Sequence, residues 1–576
     1  MYRNILAFDF DGTLAIDGVV PQELQLALKQ LQQLGYVLFL VTGRRFQSLN
    51  LGDLYDVFSG IAWENGAVLC PTINNEVFMP FGYVNPHLIH ELEYAGIPLE
   101  YGMSIVATWR HHEKDVSRVL RRSGGDVGVI YNKGSIMILP AGATKGTGLR
   151  DLLKLCGYSP RNLVSFGDGE NDASMLQMGE IGVAVGDAVP SLKLVADLVA
   201  RHDGPAGTLE ILTNYWLNGN PLDIPAKQER WISLGVDART DLPVFLPNKV
   251  MVGSNVGIFG DSSSGKSWIA GLLAESIHLA GYQMVLIDIE GDFRGLQALP
   301  GVVAFSGDVD SMASPSTIAA LLKESDVAIV IDLCAKPTEW INSYVADLLS
   351  VLHHIRSTWC RPHWIVLEEA QRLLSLPESP CLDAFIKLME SGGCTVVSYR
   401  PDRLAQPVLN NLDHCFLTHT SEPDVVETLV HRRDVVSAET LTDIPHSHVL
   451  YDGHQLIKLR PNARRVRHIR HLYKYLDMPL PRHKRFRFHD ENGPLNVEAA
   501  SLFEFKDLLR TLPIDTLVYH QRRGDFALWI RNALDDDELS THFDQLGHAS
   551  ANLDNLRDIL WRITAQRYEE LNALRM

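Results

Sequence analysis

The sequence predicts an α/β protein: two open, largely parallel sheets in series, then a small helical module. Three observations predict it. Strand-like apolar runs alternate with helical patterns to about residue 210, and again from about 251 to 455, as in parallel sheets joined by helical crossovers. Each stretch carries a short apolar strand running into a glycine turn, "ILAFDFDGTL" (5–14) and "VGIFGDSSSGKSWIAGLL" (256–273). From about 499 the apolar residues Leu502, Phe505, Leu508, Leu509 and Leu512 fall at helical spacing.

Bulk properties bound the reading. A chain of 576 residues exceeds one core and suggests roughly three or four domains. With 46% hydrophobic and 21% charged residues it is globular in composition. No run reaches the roughly 18 apolar residues of a membrane helix. The N-terminus leads straight into a strand with no signal-peptide pattern, so the cytoplasm is expected. Seven scattered cysteines without a CxxC pair read as reduced core residues. The net charge of −18 opposes whole-chain adhesion to nucleic acid. Proline-rich 214–250 (Pro221, Pro225, Pro243, Pro247) reads as a linker. The expected division is 1–213, with an insertion near 82–140; the linker 214–250; a second α/β domain 251–457; a basic connector 458–498; and a helical module 499–576.

The first strand places Asp9 and Asp11 at its carboxyl end, where open α/β sheets gather reactive groups. Residues two apart on a strand share a side, so one carboxylate can attack while the other handles protons. Their mutual repulsion, with a phosphate added, calls for a divalent cation and a lysine. "LFLVTGRR" (38–45) ends a second strand at Thr42 and Gly43, "ATKGTGL" (143–149) supplies Lys145, and "LVSFGDGENDASML" (163–176) supplies Asp168, Asn171 and Asp172. Magnesium, held by one or two carboxylates plus phosphate and water, suits this set.

These four ordered motifs resemble the haloacid-dehalogenase superfamily over about 1–213. The resemblance implies a Rossmann-like core with Asp9 as nucleophile and Asp11 as general acid/base. It implies Mg²⁺ held by Asp9, the Asp11 carbonyl and Asp168 with Asp172 in support, and Thr42, Gly43, Lys145 and Asn171 around the substrate phosphate. "WENGAVL" (63–69) and the segment near 82–140 resemble the α/β cap of the Cof-type branch (subfamily IIB), implying a small phosphoester such as a sugar phosphate as substrate. His111, His112 and Arg121 in that segment read equally as solvated surface.

In the second glycine turn, backbone N–H groups can face a phosphate and the next helix adds its dipole. Gly260 and Gly265 shape the loop, Lys266 reaches the outer phosphates and Ser267 holds Mg²⁺ beside bound ATP. Strand-like runs follow at 284–293, 327–333, 363–374 and 393–404. The third ends in Glu368–Glu369, an acid pair suited to metal and water. This order resembles the HerA/FtsK superfamily of RecA-like P-loop ATPases over about 250–455. By resemblance Glu369 is the catalytic glutamate and Glu368 takes the usual aspartate position. Tyr399 departs from the glutamine relatives often carry, and no preceding barrel is evident. Arg400 fits either a γ-phosphate contact across a subunit interface or a structural arginine, and the resemblance implies a homo-oligomeric ring.

The stretch 458–487 carries eleven Lys/Arg and one acid. It suits nucleic acid or a protein partner, or equally a solvated connector. His520, Asp525, Phe526 and Trp529 fall at roughly helical spacing, and His520 reads as a packing residue before a catalyst. The expectation is a phosphatase for a small phosphorylated substrate, fused to an ATP-binding, ATP-hydrolysing domain. The alternatives are a nucleic-acid translocase with a phosphatase effector, and a polynucleotide kinase–phosphatase. The distance from the loop to Glu368–Glu369 disfavours the kinase.

Overall fold

The computed structural model describes residues 4–573 except 124–125, 133, 225–230, 262–263, 307–311, 325, 335, 376–378, 419–447, 452–455, 467–475, 478, 481, 492, 535 and 548–554. The first sheet begins with β1 (Ile5–Asp9), β2 (Val37–Val41), β3 (Gly60–Trp63) and β4 (Val68–Pro71). A second, four-stranded antiparallel sheet follows in the chain: β5 (Glu100–Tyr101), β6 (Val106–Trp109), β7 (Val127–Asn132) and β8 (Ser135–Pro140), in the order β5-β6-β8-β7. The chain then returns to the first sheet through β9 (Leu163–Gly167), β10 (Ile181–Ala184) and β11 (Leu198–Val199), giving the order β11-β10-β9-β1-β2-β3-β4. All its neighbours are parallel save β3 and β4. Strands β1 and β9 are buried along their whole length, hence their unbroken apolar runs. β1 lies between β2 and β9, the point where strand order reverses, so a crevice opens beyond its carboxyl end.

The second large sheet holds β12 (Trp231–Asp237), β13 (Pro243–Pro247), β14 (Val256–Phe259), β15 (Met284–Asp288), β16 (Val302–Phe305), β17 (Ala328–Asp332), β18 (Trp364–Leu367), β19 (Cys394–Ser398), β20 (His414–Leu417), β21 (His448–Tyr451) and β22 (Leu456–Pro461). Its order is β13-β12-β22-β21-β20-β14-β19-β18-β15-β17-β16. The seven strands from β20 to β16 are parallel, and β14 again sits at a reversal, between β19 and β20. The stretch read as a linker therefore contains two strands of this sheet. Pro243 and Pro247 bound β13, which among the described residues is an edge strand paired with β12, where a missing N–H goes unnoticed.

A hairpin, β23 (Phe486–Asp490) and β24 (Gly493–Ala499), precedes five α-helices and one π-helical turn among the described residues between Leu502 and Ala573. It packs with them around Phe486, Phe488, Phe505, Phe526 and Phe543, so the end of the basic connector belongs to this module. No helix among the described residues is long and apolar enough to cross a membrane.

The two large sheets meet at the amino ends of their strands. Tyr282, just before β15, donates its hydroxyl to Glu180, just before β10, at 2.8 Å. Asn162, before β9, donates to the Cys360 carbonyl at 2.6 Å, and the buried Arg361 donates to the Gly157 carbonyl at 3.0 Å. The carboxyl ends, with their glycine turns, thus face away from each other.

Candidate functional sites at two sheet-reversal points

At the end of β1, Asp9 is buried and accepts a hydrogen bond from Lys145 Nζ at 2.6 Å. The same Nζ donates to Asp172 Oδ1 at 2.6 Å. The other oxygen of Asp172 accepts the N–H groups of Asp168 and Gly169 at 3.0 and 2.9 Å. Asp172 is thus spent on orienting Lys145 and the turn after β9, which fits a supporting role better than a direct ligand. One oxygen from each of Asp9, Asp168 and Asp172 lies within 4.8 Å of the other two. Burial first, then the Asp172 charge, raises the Asp9 carboxyl well above its ordinary value against the opposing pull of Lys145. Burial works to lower Lys145, but the charges of Asp172 and Asp9 outweigh it and hold the ammonium above its ordinary value. A hard divalent cation would relieve this crowding, and an all-oxygen donor set is what magnesium takes.

Local sequence explains the convergence. Thr42 follows β2 directly, and β1 pairs with β2 in the register Asp9 to Val41, so Thr42 sits one step beyond Asp9. The Thr42 hydroxyl accepts the Arg44 N–H at 3.1 Å, which leaves its proton for a phosphoryl oxygen. Lys145 opens a helix, Lys145–Leu155, capped by reciprocal bonds between Thr144 and Thr147. The glycines of "KGTG" are steric requirements: a Cβ at Gly146 would lie 2.4 Å from the Ser174 carbonyl, and one at Gly148 2.2 Å from that of Gly66. Gly12, at φ +82°, is also pressed close, since a Cβ there would meet Asp168 at 2.2 Å. Asn171 donates to Asn65 at 2.8 Å, and the Cβ position of Gly43 lies 3.2 Å from the same Asn65 oxygen.

Three residues here escaped the sequence reading. Arg44 grips Asp11 with Nε and Nη2 at 2.7 and 2.6 Å. Glu64, buried and left-handed at φ 53°, accepts the N–H groups of Met103, Ser104 and Ile105 at 2.8, 2.9 and 3.2 Å. Asn65, also left-handed, donates to Met137 Sδ of the four-stranded sheet at 2.9 Å. The "WENGA" turn therefore ties that sheet to the end of β2. The only sequence signal was an Asn-Gly turn. The His111 ring stacks beside Trp109 and the His112 ring lies tilted against His111, and Arg121 is exposed, as solvated surface would be.

At the second reversal, Gly260 and Gly265 take φ of 149° and 101°, and Lys266 and Ser267 begin a helix, Lys266–Leu279. Lys266 is buried, with Nζ donating to the Asp261 carbonyl at 2.9 Å. Ser267 donates to Asp292 at 2.7 Å, an acid that the sequence showed only as part of a strand end. Glu368 is buried, and neither of its carboxylate oxygens meets a donor among the described residues. Burial, then the charges of Asp292, Asp288 and Glu369, raises it well above its ordinary value. Asp288 organises the turn after β15 by accepting the N–H groups of Glu290, Gly291 and Phe293. Glu369 is left-handed and accepts from Gln371. Arg400 pairs with its own neighbour Asp402 through two contacts of 3.0 Å, as a structural arginine does.

The basic stretch is partly consumed by structure. Arg464 is buried and donates to Glu275 at 2.8 Å, and Glu275 also accepts the Arg465 and Val466 N–H groups. Arg460 pairs with Asp241 and Arg485 with Glu498. Arg467, Arg470 and Lys474 lie outside the described residues. His520 has both ring nitrogens engaged, Nδ1 with Asp525 at 2.8 Å and Nε2 accepting the His489 N–H at 2.8 Å.

Comparison with known proteins agrees with the two-domain reading. The family model for haloacid dehalogenase-like hydrolases matches residues 6–80 and 111–212, and the model for the central domain of the helicase HerA matches residues 232–344. The first part of the chain is therefore similar to haloacid dehalogenase-like hydrolases, and a HerA-like domain follows it. Phosphoglycolate phosphatase 2 of Saccharolobus solfataricus is 28% identical over 231 residues, covering 38% of this chain and 93% of that protein. A phosphoglycolate phosphatase of Methanoculleus marisnigri is 33% identical over 118 residues, covering 20% of this chain and 50% of its own length. A solved haloacid dehalogenase-like hydrolase from Bacteroides thetaiotaomicron is 20% identical, with a TM-score of 0.33, covering 37% of this chain and 98% of that one.

Proposed function

We propose that the chain is a Mg²⁺-dependent phosphatase for a small phosphoester, fused to a domain that binds and hydrolyses ATP. The cluster of Asp9, Asp168 and Asp172 bridged by Lys145 carries this reading. Asp9 attacks phosphorus; its new O–P bond forms as the ester P–O bond breaks, and Asp11 protonates the departing alkoxide. Water then attacks the aspartyl-phosphate, giving its proton to Asp11 as the Asp9–phosphorus bond breaks and phosphate leaves. Thr42, Gly43, Lys145 and Asn171 hold the phosphoryl oxygens through both steps. Asp9, Asp168 and the Asp11 carbonyl would hold Mg²⁺, which supplies charge neutralisation there. The four-stranded insertion closes over this crevice as a cap. The relatives named as phosphoglycolate phosphatases support a small phosphorylated acid or sugar as substrate.

In the second domain, Lys266 and Ser267 would take the phosphates of ATP, Asp292 and Glu368 its Mg²⁺, and Glu369 would polarise water. The burial of Arg464 on Glu275 weighs against a DNA-gripping surface at that point, and the Arg400–Asp402 pair weighs against a trans-acting arginine. We place the enzyme in the cytoplasm, in keeping with its scattered cysteines, and sedimentation tests ring assembly. The test is a screen of sugar phosphates, phosphoglycolate, nucleotides and phosphorylated DNA ends, with and without ATP and with Mg²⁺ chelated. Release of phosphate from a small ester that stops on chelation is expected. Transfer of label from γ-labelled ATP to DNA ends would replace this reading with the kinase.

A further inference from the structure

Asp11 and Asp9 lie two residues apart but are held by different partners. Asp9 is buried with Lys145, whereas the Asp11 side chain is 35% exposed and the Arg44 side chain 31%. An aspartate that open to water has several rotamers, and a proton donor must present one lone pair to one leaving oxygen. Arg44 removes that freedom. Its Nε and Nη2 take both Asp11 oxygens at 2.7 and 2.6 Å, a fork that fixes the carboxyl plane as well as its position. The second lone pair of each oxygen stays open for proton transfer.

The guanidinium is itself built into place. Nη1 donates to the Ser48 carbonyl at 3.2 Å. The group lies over the Phe10 ring, 5.2 Å from its centroid. Gly18 leaves room for it: a Cβ there would stand 3.2 and 3.4 Å from Nη1 and Nη2. The backbone N–H of the same residue holds Thr42 Oγ1. One residue thus registers the proton-handling carboxyl and the phosphate-binding hydroxyl against each other. A half-exposed ion pair adds only about 0–1 kcal/mol to stability, so the gain from this arrangement lies in placement.

We propose that Arg44 is a positioning residue for phosphoryl transfer, holding Asp11 in register with Asp9 so that leaving-group protonation depends on it. This rests on the phosphatase reading above. A positioned proton donor contributes roughly a hundredfold or more to rate, and the contribution grows with the basicity of the leaving oxygen. A phenolate such as p-nitrophenolate departs with little help.

The experiment compares single-turnover alcohol release from glycerol phosphate and from p-nitrophenyl phosphate by the full chain with Mg²⁺. R44A is expected to slow the alkyl ester by roughly a hundredfold and the aryl ester only a few-fold. R44K, which offers a point donor and no fork, falls between, and it carries the comparison if R44A does not fold. In a D11N background, R44A should add less than about a twofold further loss on the alkyl ester. Equal losses on both esters, or losses that multiply with D11N, would overturn the assignment. Failure of the wild-type chain to release either alcohol would instead overturn the phosphatase reading.

Discussion

Replacing Glu64 with glutamine keeps the shape of the side chain and removes the charge on which the cap loop rests. In the wild type one oxygen accepts the Met103 N–H and the other accepts those of Ser104 and Ile105. Glutamine can keep its oxygen opposite Ser104 and Ile105, but its amide then faces the Met103 N–H, donor against donor. One charge-assisted bond is lost and two become neutral. With bonds to a charged group worth about 1.5–3 kcal/mol and neutral ones about 1 kcal/mol, the docked state should weaken by at least about 2.5 kcal/mol. That is roughly a seventyfold or larger rise in the open fraction. Amide hydrogen exchange reads it directly: the N–H groups of Met103, Ser104 and Ile105 should exchange faster by that factor, while those of β1 and β9 keep their protection. The KM for the phosphoester should rise with them. Unchanged exchange at 103–105 in E64Q would refute the idea that this carboxylate clasps the cap to the core.

Other perturbations separate the parts. K266A should abolish ATP binding, read by nucleotide titration, and leave phosphatase turnover within about twofold, because the two sites sit at opposite edges of sheets joined at their amino ends. G148A forces a methyl against the Gly66 carbonyl; about 2–3 kcal/mol of overpacking should appear in thermal unfolding together with a loss of phosphatase rate. E275A removes the buried carboxylate that accepts from Arg464 and from the Arg465 and Val466 N–H groups and should cost about 3–5 kcal/mol in the unfolding transition that ATP shifts. The double variant with R464M should recover most of that loss, and a fully additive double variant would show that the two side chains do not act as a pair.

What could be read in advance follows from where the chemistry sits. Asp9, Thr42, Asp168 and Ser267 each follow a buried strand or open a helix, so their neighbours in sequence announce them. Arg44 and Glu64 work through partners 33 and 39 to 41 residues away, and the partners of Glu64 are backbone N–H groups, which leave no mark in a sequence. Asp292 showed only as one acid among several, since its contact with Ser267 depends on how the turn after β15 folds over Asp288. The prolines of 243 and 247 pointed to a linker because their harmless place on an edge strand depends on pairing order, which periodicity does not carry. The charge of 458–487 resembled a binding surface, yet Arg464 is matched by a buried glutamate on a helix nearly two hundred residues earlier.

The most direct test remains the first carboxylate. With Mg²⁺ and a phosphoester hydrolysed by the wild-type chain, D9N should show no turnover and no acid-stable, hydroxylamine-labile phosphoenzyme, while still binding ATP as the wild type does. Turnover retained in D9N at more than about a thousandth of the wild-type rate, far above what the roughly millionfold loss on removing a catalytic nucleophile leaves, would contradict Asp9 as the attacking group.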